Sequence, residues 1–246
     1  MAGAAHPATG FGEEGRPGRG YREPVSLQEP ATWVVADPVV ERIDLDERSW
    51  VDVVRGLVPA PAADAVHDEL AATVSWRQGR VFRYERYIDE PRLGGWQAGD
   101  ARHPALVEVQ DWITDRYRVR FDGVALAHYR NERDSVAWHR DRELKWLDDT
   151  VIGVFTMGAR RPWMVRPLGG TRREPEDDDL ADAIDLAPAS GDLLVLGGAC
   201  QRGWLHTVPK VRGRSRSRIS AQWRWTSRRG RPDTNPSYYA PRRYGR

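Results

Sequence analysis

The sequence has little sulfur and no long hydrophobic segment. One of its 246 residues is cysteine, so no disulfide can form within the chain and a reducing compartment is expected. The N-terminal stretch MAGAAHPATGFGEEGRPGRG has no apolar core of the kind that a signal peptide needs, and no run of about 18 apolar residues occurs anywhere. These absences predict a soluble, cytoplasmic protein without a membrane-spanning helix, and we expect it to be a monomer.

Phenylalanine is also scarce, with four residues against eleven tryptophans. An indole is costly to bury unless its N–H finds a hydrogen-bond acceptor. We therefore expect some of the tryptophans to line a groove while others pack in the core. Trp138 is expected in the core, because on a strand it alternates away from its neighbour His139.

Positive charge is concentrated near the C-terminal end, although the net charge of the whole chain is only +2. Nine basic residues and no acidic residue lie between Lys210 and Arg231. Such a block suits a polyanionic partner, and it is also typical of a solvated tail. We divide the chain into a Gly- and Pro-rich segment expected to be disordered (1–30), one domain (31–225) and a basic tail (226–246).

The central domain is predicted to be α+β with a mainly β core. The spacing of apolar residues predicts helices over 61–73 and 104–117, the first of which is expected to bury Ala65 and Leu70. From Gly123 onward, short apolar segments are separated by turn residues, as in a sandwich or jelly roll. We therefore expect a β core that is preceded by supporting helices.

The stretch SVAWHRDRELKW contains a candidate metal-binding pair, His139 and Asp141. On a strand, residues i and i+2 point to the same side, whereas the similar pair that begins at His67 falls in a predicted helix, where they do not. A mononuclear Fe(II) oxygenase holds its metal with two histidines and one carboxylate. His206 is the only histidine in the predicted β region downstream, so it would be the third ligand.

A second pattern follows in the predicted last strand, RSRISAQWR. Arg218, Ser220, Gln222 and Arg224 fall on one face of this strand, and apolar residues fall on the other. Two arginines that project inward from a core strand are costly unless an anion neutralises them. A dicarboxylate would do so through paired hydrogen bonds.

Four motifs together resemble the AlkB family of Fe(II)/2-oxoglutarate dioxygenases: DEPRLGGW, HYRNERDSVAWHRDRE, GDLLVLGGACQRGWLHTVPK and RISAQWR. The resemblance extends from about Val58 to Trp225. It implies a double-stranded β-helix, which is a jelly roll, and dependence on Fe(II), 2-oxoglutarate and O2. It also implies oxidation of N-linked alkyl groups on bases of DNA or RNA, with release of formaldehyde, succinate and CO2.

The resemblance assigns roles to individual residues. His139, Asp141 and His206 would be both the metal ligands and the catalytic set. Tyr129 and Arg218 would bind the distal carboxylate of 2-oxoglutarate. Arg224 would lie near its metal-chelating end.

Three positions depart from the family pattern. Ala127 stands where the family often has an asparagine, and Ser220 stands for the asparagine of its Arg-x-Asn motif, where it would still contact the co-substrate by hydrogen bonding. Arg142 replaces an acidic residue that contacts the substrate base, although Glu143 follows it. The first two departures bear on co-substrate affinity, and the third bears on base preference.

The segment WRQGRVFRYERY interleaves arginines with aromatic residues, a pattern used for single-stranded or flipped-base nucleic acid. An exposed hairpin of alternating polarity would have the same pattern. In the resembling family, this region and PRLGGW form the lid over the target nucleotide. The residues expected to contact the substrate are Arg83, Tyr84, Arg92, Trp96, Arg142 and Glu143.

Three functions therefore remain to be separated. The first is oxidative demethylation of bases of the 1-methyladenine and 3-methylcytosine type. The second is the same dioxygenase chemistry on a protein, a modified RNA or a small molecule. The third is a binding module on an inactive scaffold, which the complete set of candidate ligands disfavours.

Overall fold

The computed structural model describes residues 32–83, 85–141, 143–145, 147–169 and 182–227. The prediction of a disordered segment over 1–30 lies outside the described residues, as does nearly all of the basic tail. No helix within the described ranges is long and apolar enough to cross a membrane. The cytoplasmic location and the monomeric state stay predictions.

Two antiparallel sheets form the core of the described part. The larger sheet has the strand order β1-β2-β10-β7-β12-β5-β4-β3 and the smaller has the order β6-β11-β8-β9. The strands are β1 (Val40–Asp46), β2 (Ser49–Val54), β3 (Arg77–Arg83), β4 (Arg86–Gln97), β5 (Val124–Tyr129), β6 (Val136–His139), β7 (Thr150–Gly158), β8 (Met164–Pro167), β9 (Ile184–Asp185), β10 (Leu193–Gly198), β11 (Trp204–Val208) and β12 (Arg218–Thr226). The helices are α1 (Ala60–Thr73), α2 (Pro104–Tyr117) and the short α3 (Cys200–Gly203). This mainly β architecture confirms the expected jelly roll with supporting helices.

Alternation along the central strands separates two hydrophobic clusters. On β7, Phe155 and Met157 pack in a cluster with the helices, whereas Ile152 and Val154 pack in a second cluster between the sheets. Successive side chains of a strand point to opposite faces, so one strand serves both clusters. The larger sheet is therefore covered by helices on one face and by the smaller sheet on the other.

The last strand obeys the same rule and confirms the predicted division of its faces. Ile219, Ala221 and Trp223 belong to the cluster with the helices. The indole N–H of the fully buried Trp223 donates to the side chain of Gln110 on α2, which supplies the acceptor that a buried indole needs. The alternate residues of β12, from Arg218 to Arg224, face the smaller sheet.

Both predicted helices are present, and α2 has the predicted bounds. Helix α1 begins one residue earlier than predicted, and the prediction for Ala65 was wrong, because Ala65 is exposed and Ala63 is buried in its place. Strands β1 and β2 were not predicted, although they precede α1 and extend the larger sheet. Strand β1 is an edge strand rich in charged residues, and it contacts the two hydrophobic clusters only through Val40, Ile43 and Leu45. Its apolar pattern in the sequence is therefore weak.

Candidate active site

The candidate metal ligands meet in the smaller sheet. His139 ends β6 and is paired directly with His206 on β11, while Asp141 lies two residues beyond the strand. One ligand atom from each of the three side chains can be chosen so that all lie within 4.8 Å of one another. No other described group of three potential ligands has this arrangement. Two imidazoles and one carboxylate are the donor set that non-haem Fe(II) oxygenases use.

Each of the two imidazoles contacts a protein group that restricts its orientation. The Nδ1 of His139 lies 2.8 Å from the carbonyl oxygen of Ala137, which can only accept, so Nδ1 carries the proton and Nε2 keeps its lone pair. The ring of Trp163 stacks on His206 with a centroid separation of 5.4 Å and an interplanar angle of 12°. These contacts fix ring orientation before any metal arrives.

Asp141 is held in its ionised form. Burial alone would raise its pKa, but Arg224 and the two histidines outweigh burial and lower the pKa well below the ordinary value. The Arg224 Nε donates to Asp141 Oδ2 at 2.7 Å, and the Asp141 backbone N–H donates to the side chain of Gln201 at 2.8 Å. One carboxylate oxygen is therefore engaged by a guanidinium while the carboxylate stays anionic.

The histidines are held in their neutral form. Burial lowers the pKa of His206 to about 3, and His139 acts in the same direction. Burial also lowers the pKa of His139, against the opposing effects of Asp141 and the Ala137 carbonyl. A metal binds neutral imidazole and ionised carboxylate, so the site is in the protonation state that binding requires.

Tyr129 and Arg218 lie opposite each other on β5 and β12. Both are almost completely buried, and the guanidinium carbon of Arg218 is 5.9 Å from the centroid of the Tyr129 ring. Burial lowers the pKa of Arg218 to about 10. Nη2 donates to Thr156 Oγ1 at 3.1 Å, whereas Nε and Nη1 are buried without a hydrogen-bond partner in the described part. Buried N–H groups of a charged side chain are rarely left unsatisfied, so these donors suit an anionic ligand.

Ser220 adds a further orphan donor beside them. Its hydroxyl is buried and has no partner among the described residues. Opposite it on β5 is Ala127, which offers no polar atom. The donors present are thus an arginine and a serine, and they fit one carboxylate end of 2-oxoglutarate.

A cavity of about 130 Å³ extends from the candidate metal ligands to Tyr129. All three candidate metal ligands line it, together with Tyr129 and Arg224. Arg218 and Ser220 are not among its lining residues. Tyr129 links them to the cavity, because it lines the cavity and pairs with Arg218 across β5 and β12.

A larger cavity, of about 920 Å³, adjoins the smaller one at His139. The hairpin of β3 and β4 forms one wall and β6 forms the other. His139, Arg92 and Arg140 line both cavities. A substrate could thus approach the metal from one side and a co-substrate from the other.

The residues expected to contact the substrate are divided by the structure. Arg92 lines both cavities, and its Nη1 lies 3.4 Å from the Tyr129 hydroxyl, so it contacts the co-substrate side as well. Trp96 and Glu143 line neither cavity, and Trp96 pairs with Ala125 further along β4. Tyr84, Arg142 and the side chain of Arg83 lie outside the described residues.

The sequence pattern was wrong for Trp138. This indole is partly exposed, lines the larger cavity and lies 4.3 Å from the guanidinium carbon of Arg166. Among the described residues β6 is an edge strand of the smaller sheet, and its side chain that alternates away from His139 faces a cavity instead of a core. Trp163 and Arg161 were not predicted as site residues, because neither belongs to the quoted motifs.

A sequence model of the 2OG-Fe(II) oxygenase superfamily matches residues 51–234. The chain belongs to this superfamily. The match includes all three candidate metal ligands and the whole of β12. It places the chain among the Fe(II)- and 2-oxoglutarate-dependent dioxygenases, whose cofactors the donor set fits.

Two curated relatives of this oxygenase carry AlkB-type names. The chain is 28% identical over 185 residues to alpha-ketoglutarate-dependent dioxygenase alkB homolog 3 of Bos taurus. The match covers 69% of this chain and 63% of that protein. The chain is also 28% identical over 221 residues to DNA oxidative demethylase ALKBH2 of Arabidopsis thaliana, covering 76% and 69% of the two chains. These matches confirm the AlkB-like resemblance, while the chain spans less than two thirds of alkB homolog 3.

A solved structure shares the fold. A prolyl hydroxylase of Trichoplax adhaerens, in complex with a hypoxia inducible factor peptide, superposes with a TM-score of 0.51 at 11% identity. The match covers 72% of this oxygenase and 83% of that chain. At this identity the likeness concerns the fold alone.

Proposed function

We propose that this oxygenase removes alkyl groups from N-alkylated bases, of the 1-methyladenine and 3-methylcytosine type, in DNA or RNA. The observation that carries the proposal is the position of His139 between two cavities. The smaller cavity contains the metal ligands and the larger one is open to a bulky substrate. The similarity to proteins named as AlkB homologues and as a DNA oxidative demethylase supports a nucleic acid as that substrate.

Bound Fe(II), 2-oxoglutarate and O2 would supply the oxidation, in which one oxygen atom enters a methyl C–H bond and the other enters succinate as CO2 leaves. His139, Asp141 and His206 would hold the metal, and Arg224 would keep the carboxylate ionised. Arg218 would pair with the distal carboxylate of the co-substrate. The resulting N-hydroxymethyl group loses formaldehyde and leaves the unmodified base.

The hairpin of β3 and β4 supports a nucleic-acid substrate. Phe82 and Tyr87 are 63% and 65% exposed, and their rings meet edge to face at a centroid distance of 5.2 Å. Arg80 lies over the Tyr87 ring, with its guanidinium carbon 5.5 Å from the centroid. Exposed aromatic faces stack bases of any sequence, and arginines beside them bind phosphates.

The segment between β11 and β12 adds positive charge. Lys210 lines the larger cavity, and Arg212, Arg214 and Arg216 are exposed beyond it. Arg133, in the turn before β6, is 88% exposed. Contacts of this kind give a polyanion affinity without sequence preference, and they weaken as salt concentration rises.

The experiment is incubation of the Fe(II)-loaded protein with 2-oxoglutarate and single-stranded oligonucleotides that contain one 1-methyladenine or one 3-methylcytosine. Mass spectrometry of the oligonucleotide is expected to show loss of the methyl group, and the same strand with 5-methylcytosine is the control, because that methyl group is bound to carbon. If succinate forms while both methylated strands stay intact, the second function, oxidation of another substrate class, replaces this proposal.

A further inference from the structure

Arg161 is a buried cation that the quoted motifs do not include. It lies in the connection between β7 and β8 and is 1% exposed. Its described hydrogen bonds all go to backbone carbonyls: Nη1 donates to Asn131 at 2.9 Å, and Nη2 donates to Asp134 at 2.7 Å and to Pro209 at 3.0 Å. Burying a guanidinium is costly, so a role beyond simple space filling is expected.

The carbonyls that Nη2 bridges flank the two strands of the metal site. Asp134 lies shortly before β6, and Pro209 directly follows β11. Val136 and Val208 are paired at this end of the two strands, and His139 and His206 are paired at the other. One nitrogen of Arg161 therefore links β6 and β11 at the end of the strand pair opposite to the two imidazoles.

The same guanidinium contacts the co-substrate side. Its central carbon is 5.5 Å from the centroid of the Tyr129 ring, within the range of a cation–π contact. Arg218 approaches that ring to 5.9 Å. Tyr129 is thus in contact with two guanidinium groups, and it also lines the small cavity.

The Nε of Arg161 is also buried without a partner in the described part of the chain. Together with two nitrogens of Arg218 and the hydroxyl of Ser220, it forms a set of orphan donors near Tyr129. A positively charged, water-poor environment of this kind favours a carboxylate.

We propose that Arg161 is a positioning residue of the co-substrate pocket: it fixes the Tyr129 ring beside the distal carboxylate and closes the strand pair that carries His139 and His206. The inference rests on the proposed use of this site for 2-oxoglutarate. Lysine cannot replace it, because an ammonium lacks the planar fork that reaches three carbonyls and an aromatic face at once.

The test is calorimetric binding to the Mn(II)-loaded protein of 2-oxoglutarate and of 2-oxobutyrate, which lacks the distal carboxylate. In Arg161→Met the preference for 2-oxoglutarate is expected to fall about tenfold, the equivalent of one charge-assisted hydrogen bond. Arg161→Lys is expected to change in the same direction, and it decides the matter if the methionine variant does not fold. Arg160→Met is the matched control, since the neighbouring Arg160 is exposed and donates only to Ala187 among its described hydrogen bonds.

A loss of thermal stability without a change in this preference would overturn the inference, because a merely structural residue lowers stability and leaves the ratio of the two affinities within about twofold of wild type. A wild-type protein that fails to bind 2-oxoglutarate would instead contradict the proposed site itself. The two failures are therefore separable within one set of titrations.

Discussion

The metal centre and the substrate entrance of this oxygenase are built in different ways. At the centre, His139 and His206 are paired across a ladder, Trp163 and Arg224 contact the side chains of His206 and Asp141, and Gln201 accepts from the Asp141 backbone N–H. At the entrance, the hairpin of β3 and β4 joins the sheet through β4 alone, and its aromatic rings are exposed. The comparison indicates that strand pairing fixes the positions of both histidine ligands, whereas the entrance side chains are placed by a hairpin that pairs with the sheet along one strand.

Loss of a metal ligand should have the largest effect. Asp141→Asn removes the anionic ligand but leaves an oxygen that can still accept from Arg224, so we expect a folded protein whose succinate formation falls to background. Asp148→Asn is the matched control, because Asp148 pairs with Arg202 and lines neither cavity. Equal Mn(II) affinity of the two variants, measured by electron paramagnetic resonance, would contradict the assignment of the centre.

Arg218→Met should separate binding from stability. We expect the dissociation constant for 2-oxoglutarate to rise about 30- to 100-fold, as a pair of charge-assisted hydrogen bonds is lost. Stability should stay the same or increase, because methionine removes a buried charge with two unsatisfied N–H groups. Unchanged affinity together with a lower melting temperature would mean that the guanidinium is structural.

At the entrance the expected effects are smaller. Phe82→Ala and Tyr87→Ala should each weaken binding of a single-stranded oligonucleotide about tenfold, because one stacked base contributes about 1–3 kcal/mol. Fluorescence anisotropy measures this directly. Trp96→Ala is the control, since Trp96 is 58% exposed but lies at the opposite end of β4 from Tyr87. If Trp96→Ala weakens oligonucleotide binding as much as Phe82→Ala does, the substrate contacts extend along β4 to Trp96.

The smallest effect should appear in the pH dependence of the metal-free protein. His139 and His206 have lowered pKa values when folded, against an ordinary 6.5, so below about pH 6.5 the unfolded chain binds more protons. The free energy of unfolding should therefore fall as pH decreases from about 6.5 to about 5. His206→Asn should reduce that slope by up to about 1.4 kcal/mol per pH unit in urea titrations. A slope in the variant equal to that of wild type would mean that groups other than His206 take up the protons. The hairpin over 77–97 contains no histidine, so it does not contribute to this slope.

Much of the centre follows from the sequence because strand geometry is strict. The i, i+2 rule predicts which face of β12 carries Arg218 and Arg224. It also predicts that His139 and Asp141 lie on one side, and the two do converge, although Asp141 lies beyond the end of β6. Spacing cannot reveal Arg161, whose three acceptors are backbone carbonyls that leave no trace in residue type. It lies in a connection whose course depends on the packing of both sheets.

The entrance was predicted less well for a related reason. The hairpin exists where arginines and aromatic residues alternate, yet alternation alone does not say which residues face the cavity: Val81 and Ile88 line it, whereas Phe82 and Tyr87 do not. Trp96 shares a strand with Arg92, but the twist and length of β4 carry it away from the metal. Trp138 faces a cavity because its strand lies at a sheet edge, and edges cannot be recognised from a single sequence.

The central claim is that one site couples 2-oxoglutarate turnover to removal of a methyl group from nucleic acid. The most direct test is the molar ratio of formaldehyde to succinate produced with a single-stranded oligonucleotide containing 1-methyladenine, compared with the unmodified strand. We expect a ratio near one, and succinate formation that depends on the methylated strand. Succinate formation at the same rate with either strand, and without formaldehyde, would contradict the account.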